Sequence, residues 1–333
     1  MQKLYPSENA RAVSELLALC PKHVETPLVD AQEVAMAAGV RQVSIKDERT
    51  RMGLGSFKAL GAAYAIAQDA QRAQAGDWAT ALTERVYVTA SAGNHGLSVA
   101  AGARIFGAQA VIYLAKSVPE AFAERLTQTG ARVVRAGDTY EQSMQAAADA
   151  ADANGWQLLS DSSWAGYTEW PGAVMEGYLQ MGAEISAQLT EAPDYILLQA
   201  GVGGMAAALA AHFRAEWGDA PVIAVVEPEA APALIESIRA GRLTDTAGPV
   251  SQMGRLDCKT PSMIALEGLA RDADLFLTIT EEEAAAGVAS LAPFGFETTP
   301  SGGAGLAALL SGAPGCDAET SVLAVLSEGP EDV

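Results

Sequence analysis

Lys58 is the residue whose surroundings first suggest covalent chemistry. It lies in the string SFKALG at 56–61. Apolar residues in and just after this string recur at helical spacing, namely Phe57, Leu60, Gly61, Tyr64 and Ala65. This pattern predicts a lysine in the first turn of a half-buried helix. The charged, glycine-broken segment 46–55 before it is predicted as a loop over a cleft, outside the core. Burial lowers the pKa of a lysine, and a neutral amine attacks carbonyls to form Schiff bases. The alternative is a surface lysine whose stem lies along apolar surface.

Two further segments combine a strand, a loop of small residues and a helix. VYVTASAGNHG at 86–96 places Ser91, Asn94 and His95 in such a loop, before a helix expected from residue 97. YILLQAGVGGM at 195–205 ends in a glycine turn before a helix expected at 205–213. Glycine turns at helix N-termini bind phosphate through backbone N–H groups, although close packing accounts for such glycines about as well. The third glycine of the dinucleotide fingerprint is missing.

Short β-branched runs alternate with alanine-rich runs along the chain, which is typical of an α/β fold with parallel strands. Helices are predicted at 12–19, 97–106, 120–129 and 140–153, and strands at 86–89, 110–114, 132–135, 156–159, 195–199, 222–226, 275–279 and 321–326. Residues 1–84 and 165–333 are predicted to form a large domain with one shared sheet, and 85–164 a small mobile domain. Loops at the carboxyl ends of the strands then face a crevice, with Lys58 between the two lobes.

The lysine, asparagine and glycine motifs, in this order, resemble those of the fold-type II pyridoxal-phosphate (PLP) enzymes, the family of tryptophan synthase β, threonine dehydratase and serine racemase. Within it, the diaminopropionate ammonia-lyases are the most similar group, and the similarity extends over about 27–329. The resemblance implies a tryptophan synthase β-like fold of two three-layer α/β domains with the active site between them. It also implies PLP bound to Lys58 and a homodimer.

Several site residues follow from this resemblance alone. Asn94 is expected to hydrogen-bond the 3′-oxygen of the cofactor ring, and Ser327, after the last strand, to face the pyridine nitrogen. A hydroxyl there leaves the nitrogen largely neutral, which favours β-elimination over transamination. The alternative for Ser327 is a strand cap. The phosphate is expected on the glycine turn formed by Gly201, Val202, Gly203, Gly204 and Met205. The substrate carboxylate is expected on the loop formed by Ser91, Ala92, Gly93 and His95. For His95, a purely structural role is the main alternative.

Asp161 follows the strand predicted at 156–159 and precedes the run Trp164 to Tyr167. In the ammonia-lyases, an acid at this position with a Trp-x-Gly-Tyr run after it serves as the base toward one substrate enantiomer. A carboxylate there can take the Cα proton or hold a substrate ammonium group. The alternative is a helix N-cap.

Two positions depart from the ammonia-lyase pattern. Ala92 replaces a second acid, so that TASAGNH is similar to the threonine dehydratase loop, and Pro300 replaces another acid before Ser301. Because an alanine neither donates nor accepts a proton, we expect no racemisation and no activity on the enantiomer that the missing acid serves. Both departures concern the substrate rather than the cofactor.

The composition limits the class of protein, its location and its possible partners. The 333 residues are 50% hydrophobic and 19% charged, which fits a globular protein. No apolar run reaches the length of a membrane span, and the N-terminus lacks a signal-peptide pattern, so we expect a cytoplasmic protein. The net charge of −20 argues against nucleic acid and anionic membranes as partners. Cys20, Cys258 and Cys316 indicate reduced thiols rather than disulfides or a zinc site, and no metal is expected.

The sequence therefore predicts a PLP-dependent lyase acting on a small β-substituted amino acid. The preferred reaction is α,β-elimination from 2,3-diaminopropionate to a 2-oxo acid and ammonia, with Lys58 or Asp161 as the Cα base. The alternative is a dehydratase of serine, threonine or 3-hydroxyaspartate. A non-catalytic PLP-binding protein is a third possibility.

Overall fold

The computed structural model describes residues 4–73 and 76–330. Within these ranges the strands are β1 (Leu28–Asp30), β2 (Gln42–Asp47), β3 (Val86–Ala90), β4 (Gln109–Leu114), β5 (Arg132–Arg135), β6 (Gln157–Leu158), β7 (Tyr195–Gln199), β8 (Val222–Pro228), β9 (Leu275–Ile279) and β10 (Ser321–Leu326). The α-helices are α1 (Ala10–Leu17), α2 (Gln32–Ala38), α3 (Lys58–Arg72), α4 (Asn94–Ile105), α5 (Glu120–Thr129), α6 (Tyr140–Asn154), α7 (Glu169–Gly177), α8 (Leu179–Gln188), α9 (Gly204–Trp217), α10 (Ala233–Ala240), α11 (Met263–Asp272), α12 (Glu281–Leu291) and α13 (Ala304–Leu310).

The strands form two sheets. The larger has the order β1-β2-β10-β7-β8-β9, and all its pairs are parallel except β1 with β2. The smaller has the order β5-β4-β3-β6 and is fully parallel. The large sheet therefore joins strands from both ends of the chain, which confirms the prediction that these parts share one sheet.

The middle of the large sheet is the most deeply buried part of the fold. Every residue of β7 and β10 is buried, and both strands are nearly continuous apolar runs. Such runs are expected where helices cover both faces of a parallel sheet. The backbone at the carboxyl end of β10 is therefore held rigidly, and so are the side chains that follow it.

Most predicted elements are confirmed, and the differences lie at their ends. The strand expected at 156–159 is limited to Gln157–Leu158, and α1 begins and ends two residues earlier than expected. The helix expected from residue 97 begins at Asn94. Asn94 and His95 therefore lie in the first turn of α4 rather than in a loop.

The expectation that 46–55 lies outside the core is wrong. Lys46, Glu48 and Arg51 have fully buried side chains. Lys46 Nζ lies 2.7 Å from Glu184 Oε2, and Arg51 binds both Glu48 and Glu184 at 2.6–2.7 Å. Thr26 Oγ1 also donates to Glu48. Because every charge has an oppositely charged partner, a segment that is polar in sequence is stable in the interior.

None of the helices in the described part of the chain is both long and apolar enough to cross a membrane. Cys20, Cys258 and Cys316 are free thiols.

Candidate active site

Lys58 is the first residue of α3. The turn before it is bound to the segment after β10: Phe57 N donates to Ser327 O at 3.1 Å, and Gly329 N donates to Gly55 O at 3.0 Å. Close packing of α3 on α7 fixes the helix itself, because a Cβ on Gly61 would come within 2.8 Å of Val174 and 2.7 Å of the Tyr178 ring. The lysine thus stands on a rigid base where α3 faces the end of β10.

The Lys58 side chain points to Asp161 and forms an ion pair with it. The two side chains are 22% and 18% exposed, so the pair lies largely out of water. Burial alone would lower the Lys58 pKa, but the adjacent carboxylate outweighs it and the pKa is raised. Burial likewise opposes ionisation of Asp161, whose pKa is nevertheless lowered by Lys58 and His95. In this arrangement the contact with Asp161 therefore favours the charged ammonium over the neutral amine that the sequence predicted.

The loop that carries Asp161 is braced from both sides. Tyr167 Oη accepts from Ser160 N at 3.0 Å and donates to Leu158 O at 2.8 Å, and its ring stacks on Trp164. The Trp-x-Gly-Tyr run therefore holds the backbone just before the acid. Since α7 begins only at Glu169, Asp161 is not the N-cap of a helix.

The glycine turn lies next to this ion pair. Gly203 has a φ of +96°, a conformation that favours glycine, and no side chain in the described part of the chain caps the α9 N-terminus that follows it. A Cβ on Gly204 would lie 3.6 Å from the Tyr178 ring and 4.0 Å from Asp161 O. The uncapped N–H groups of α9 are thus close to the Lys58–Asp161 pair, where an anion can accept from them.

The Asn94 loop, which is the turn 91–93 together with Asn94 and His95 at the start of α4, borders the site on the side of the small sheet. Ser91 Oγ accepts from Gly96 N at 3.0 Å and Gly93 N at 3.3 Å, so Ser91 shapes the turn and keeps its O–H proton for another acceptor. His95 Nε2 contacts Leu159 O at 2.8 Å, and its Nδ1 is buried without a hydrogen bond among the described residues. Burial lowers the His95 pKa. Ala92 is exposed.

Glu328, next to Ser327, is the main site residue that the sequence analysis missed. Both are 5% exposed. The Glu328 carboxylate accepts from Asn94 Nδ2 and Thr299 Oγ1, and Arg255 Nε lies 3.2 Å from it. The available signal was an acid directly after a buried strand and directly before a glycine. Tyr178, whose pKa burial raises to about 12, was also missed.

A cavity of about 290 Å³ opens beside Arg255. Pro300, which the sequence analysis singled out, is part of its wall, together with Gln252, Gly254, Thr298, Thr299 and Ser301. Pro300 therefore lies beside two residues that bind Glu328, namely Thr299 and Arg255.

Comparison with solved structures defines the class of protein. The fold is similar to that of Escherichia coli diaminopropionate ammonia-lyase in complex with an aminoacrylate-PLP azomethine reaction intermediate, with a TM-score of 0.87, 27% identity, and coverage of 98% of this chain and 90% of that chain. Maize serine racemase has the same fold, with a TM-score of 0.84 at 18% identity, over 99% of this chain and 95% of that chain. A two-sheet α/β protein with these neighbours is a fold-type II PLP enzyme.

Sequence comparison identifies the family. The family model of pyridoxal-phosphate dependent enzymes matches residues 19–328, and the chain belongs to this family. It is 30% identical to Escherichia coli diaminopropionate ammonia-lyase over 307 residues, which cover 88% of this chain and 77% of that protein. It is also 28% identical to human L-serine dehydratase/L-threonine deaminase over 270 residues, covering 80% and 76% of the two chains.

The site suits PLP chemically. It offers a lysine able to bind an aldehyde, an uncapped helix N-terminus that suits a phosphate, and the side-chain amide of Asn94, which can hydrogen-bond a ring oxygen. The buried Tyr178 hydroxyl lies next to Lys58, and a hydroxyl that accepts from a lysine still has its own O–H proton to donate to a ligand.

Proposed function

We propose that this enzyme is an ammonia-lyase that catalyses α,β-elimination from 2,3-diaminopropionate. The ion pair between Lys58 and Asp161 is the observation that carries the proposal, because it places an acid and a base together at the cofactor lysine. The similarity to diaminopropionate ammonia-lyases over most of the chain supports the choice of substrate.

Each site residue then has a role toward cofactor or substrate. Lys58 would bind PLP covalently, Asn94 the ring oxygen, and Ser327 would face the ring nitrogen. The phosphate would lie on the turn formed by Gly201, Val202, Gly203, Gly204 and Met205. The substrate carboxylate would accept from Ser91 Oγ and from backbone N–H groups of Ala92, Gly93 and His95.

The reaction needs two proton transfers, one from Cα and one to the leaving β-amine, and Lys58 and Asp161 are placed to carry them out. When bound, PLP supplies the electron sink that acidifies the Cα–H bond. The ion pair keeps Asp161 as a carboxylate, which can accept the Cα proton, and Lys58 as an ammonium, which can protonate the leaving β-amine. The opposite assignment, with Lys58 as the base, uses the same contact. Hydrolysis of the released enamine gives the 2-oxo acid and a second ammonia.

The runner-up function is dehydration of serine, threonine or 3-hydroxyaspartate. It is favoured by Ala92, whose place in the Asn94 loop lacks an acid, and by the similarity to serine dehydratase. The change D161N separates the two, because an amine leaving group needs an acid to supply a proton and D161N removes the carboxylate that pairs with Lys58. It should abolish ammonia-lyase turnover yet spare a dehydratase that uses Lys58 alone.

We further propose that 1–84 with 165–333 form a large PLP-binding domain and that 85–164 form a small mobile one. The two sheets divide near these boundaries. A cytoplasmic location is supported by the three free cysteines, since thiols persist in reducing compartments. A homodimer is proposed from the family, and sedimentation of the holoenzyme tests it.

The decisive experiment compares candidate substrates on the PLP-loaded enzyme. Release of 2-oxo acid and ammonia is measured with both enantiomers of 2,3-diaminopropionate, and with serine, threonine and 3-hydroxyaspartate. We expect the highest kcat/KM for one enantiomer of 2,3-diaminopropionate, with two ammonia molecules per 2-oxo acid. Faster release from a hydroxyamino acid would assign the dehydratase function instead. No release from any of them, with an unchanged cofactor spectrum, would indicate a non-catalytic PLP-binding protein.

A further inference from the structure

Glu328 is a buried carboxylate to which the mechanism above gives no task. It follows β10 directly, and its backbone is tied down by Thr298 Oγ1, which donates to Glu328 O at 2.6 Å. A Cβ on Gly302 would come within 2.8 Å of Glu328 Cγ, so the side chain has little room to move. The carboxylate is therefore held in one place by its surroundings.

Three donors converge on this carboxylate from separate parts of the chain. Thr299 Oγ1 binds Oε1, while Arg255 Nε and Asn94 Nδ2 bind Oε2. Arg255 balances the charge of the buried carboxylate. Asn94 is the member that comes from α4, beside the small sheet, so Glu328 joins the two sheets at the proposed cofactor site.

The contact determines how the Asn94 amide is oriented. Its Nδ2 donates two hydrogen bonds, whereas its Oδ1 only accepts them. Because a carboxylate accepts and does not donate, only Nδ2 can face Glu328 favourably. One N–H is then used by Glu328, and the second N–H of the same group remains for a neighbouring acceptor.

We propose that Glu328 is a positioning residue that keeps the amide N–H of Asn94 directed at the 3′-oxygen of PLP. The inference rests on the Asn94 role in the proposed function. A donor at the 3′-oxygen stabilises its anionic form, whereas a flipped amide would present an oxygen and favour the protonated form. Glu328 thus acts on the charge state of the cofactor through Asn94.

The test uses the absorbance spectrum of the PLP-loaded protein, because protonation of the 3′-oxygen moves cofactor absorbance from the visible to the near ultraviolet. In E328M the apolar side chain leaves the Asn94 amide free to flip. We expect the ratio of visible to near-ultraviolet absorbance at neutral pH to fall by roughly tenfold, because the favourable orientation of the amide loses the charged hydrogen bond from Asn94 to Glu328. E328Q keeps an amide oxygen that accepts from Asn94, and its ratio should stay close to that of the wild type.

A double-mutant cycle separates positioning from a structural effect. In an N94A background, E328M should change the ratio no further. The control T299V removes another hydrogen bond to the same carboxylate; it should lower the melting temperature and leave the ratio unchanged. If E328M does not fold, E328D replaces it, because the shorter carboxylate keeps its charge near Arg255 but withdraws from Asn94.

Two results would overturn the proposal: an unchanged ratio in a folded E328M or E328D protein, or an equally large change in the N94A background. Neither depends on turnover. If no substrate releases a 2-oxo acid but the absorbance cycle gives the expected result, only the proposed reaction is rejected. If 2,3-diaminopropionate is turned over but the absorbance cycle fails, only the role of Glu328 is rejected.

Discussion

Replacing Asp161 with asparagine removes the charge that pairs with Lys58 while keeping nearly the same side-chain volume. In the wild type the carboxylate raises the pKa of the amine against the effect of burial. In D161N only burial and weaker neighbours remain, so the Lys58 pKa should fall. A neutral amine is the form that captures an aldehyde, and it should then be abundant at a lower pH.

The size of this effect follows from the geometry. Two unit charges about 4 Å apart interact by about 4 kcal/mol at an effective dielectric constant of about 20. Both side chains are less than a quarter exposed, so water screens little of this interaction. At about 1.4 kcal/mol per factor of ten, the proton affinity of the amine should fall on the order of a thousandfold.

The assay mixes cofactor-free protein with PLP and follows the rise of visible absorbance from pH 6 to 9. Both rates should increase with pH across this range, but the D161N rate should be far higher at every pH, because a larger fraction of its Lys58 amine is neutral. D138N, which removes the acid of an exposed ion pair with Lys116, is the matched control and should leave the wild-type profile unchanged. A D161N profile that coincides with the wild type, or moves to higher pH, would refute the electrostatic coupling.

Three further predictions concern the substrate, the phosphate turn and stability. In A92D the new acid extends from an exposed position of the Asn94 loop, so elimination from the second enantiomer of 2,3-diaminopropionate should appear; 2-oxo acid release from each enantiomer measures this, and continued inactivity would contradict it. G203A and the control G218A both place a side chain at positive φ, but only G203A should weaken PLP binding, by tenfold or more in a spectroscopic titration; equal losses would contradict a phosphate site there. Burial raises the pKa of Glu227 to about 7 from 4.5, so its folded form binds more protons than its unfolded form between these pH values. The free energy of unfolding of the wild type, measured with urea, should therefore fall relative to E227Q between pH 4.5 and 7 by about 3 kcal/mol, and a relative rise would contradict this.

The parts of the fold that the sequence predicted have strong local signals. The strands 132–135, 195–199, 275–279 and 321–326 were predicted with their observed bounds, because each is a short run with apolar or β-branched residues at its centre, bounded by turn residues. Lys58 at the start of α3 follows equally from helical periodicity. The α4 start was misplaced because asparagine and glycine usually end or precede a helix.

The parts that were missed depend on contacts between distant residues. Arg51 and Glu184 are 133 positions apart, and in the interior they compensate each other's charge together with Glu48 and Lys46. Asn94 and Glu328 are separated by 234 positions. Local pattern predicts charged residues to be exposed, and only the folded chain shows which charges compensate each other. For the same reason the charge state of Lys58 could not be derived before its contact with Asp161 was known.

The most direct test of the account locates the covalent attachment of the cofactor. The PLP-loaded protein is reduced with borohydride, digested, and analysed by mass spectrometry, with K58A treated in parallel. We predict a single pyridoxyl-lysine, at Lys58, and none in K58A. Stoichiometric label on another lysine, or no label on a protein that remains colourless with PLP, would contradict the central role of Lys58.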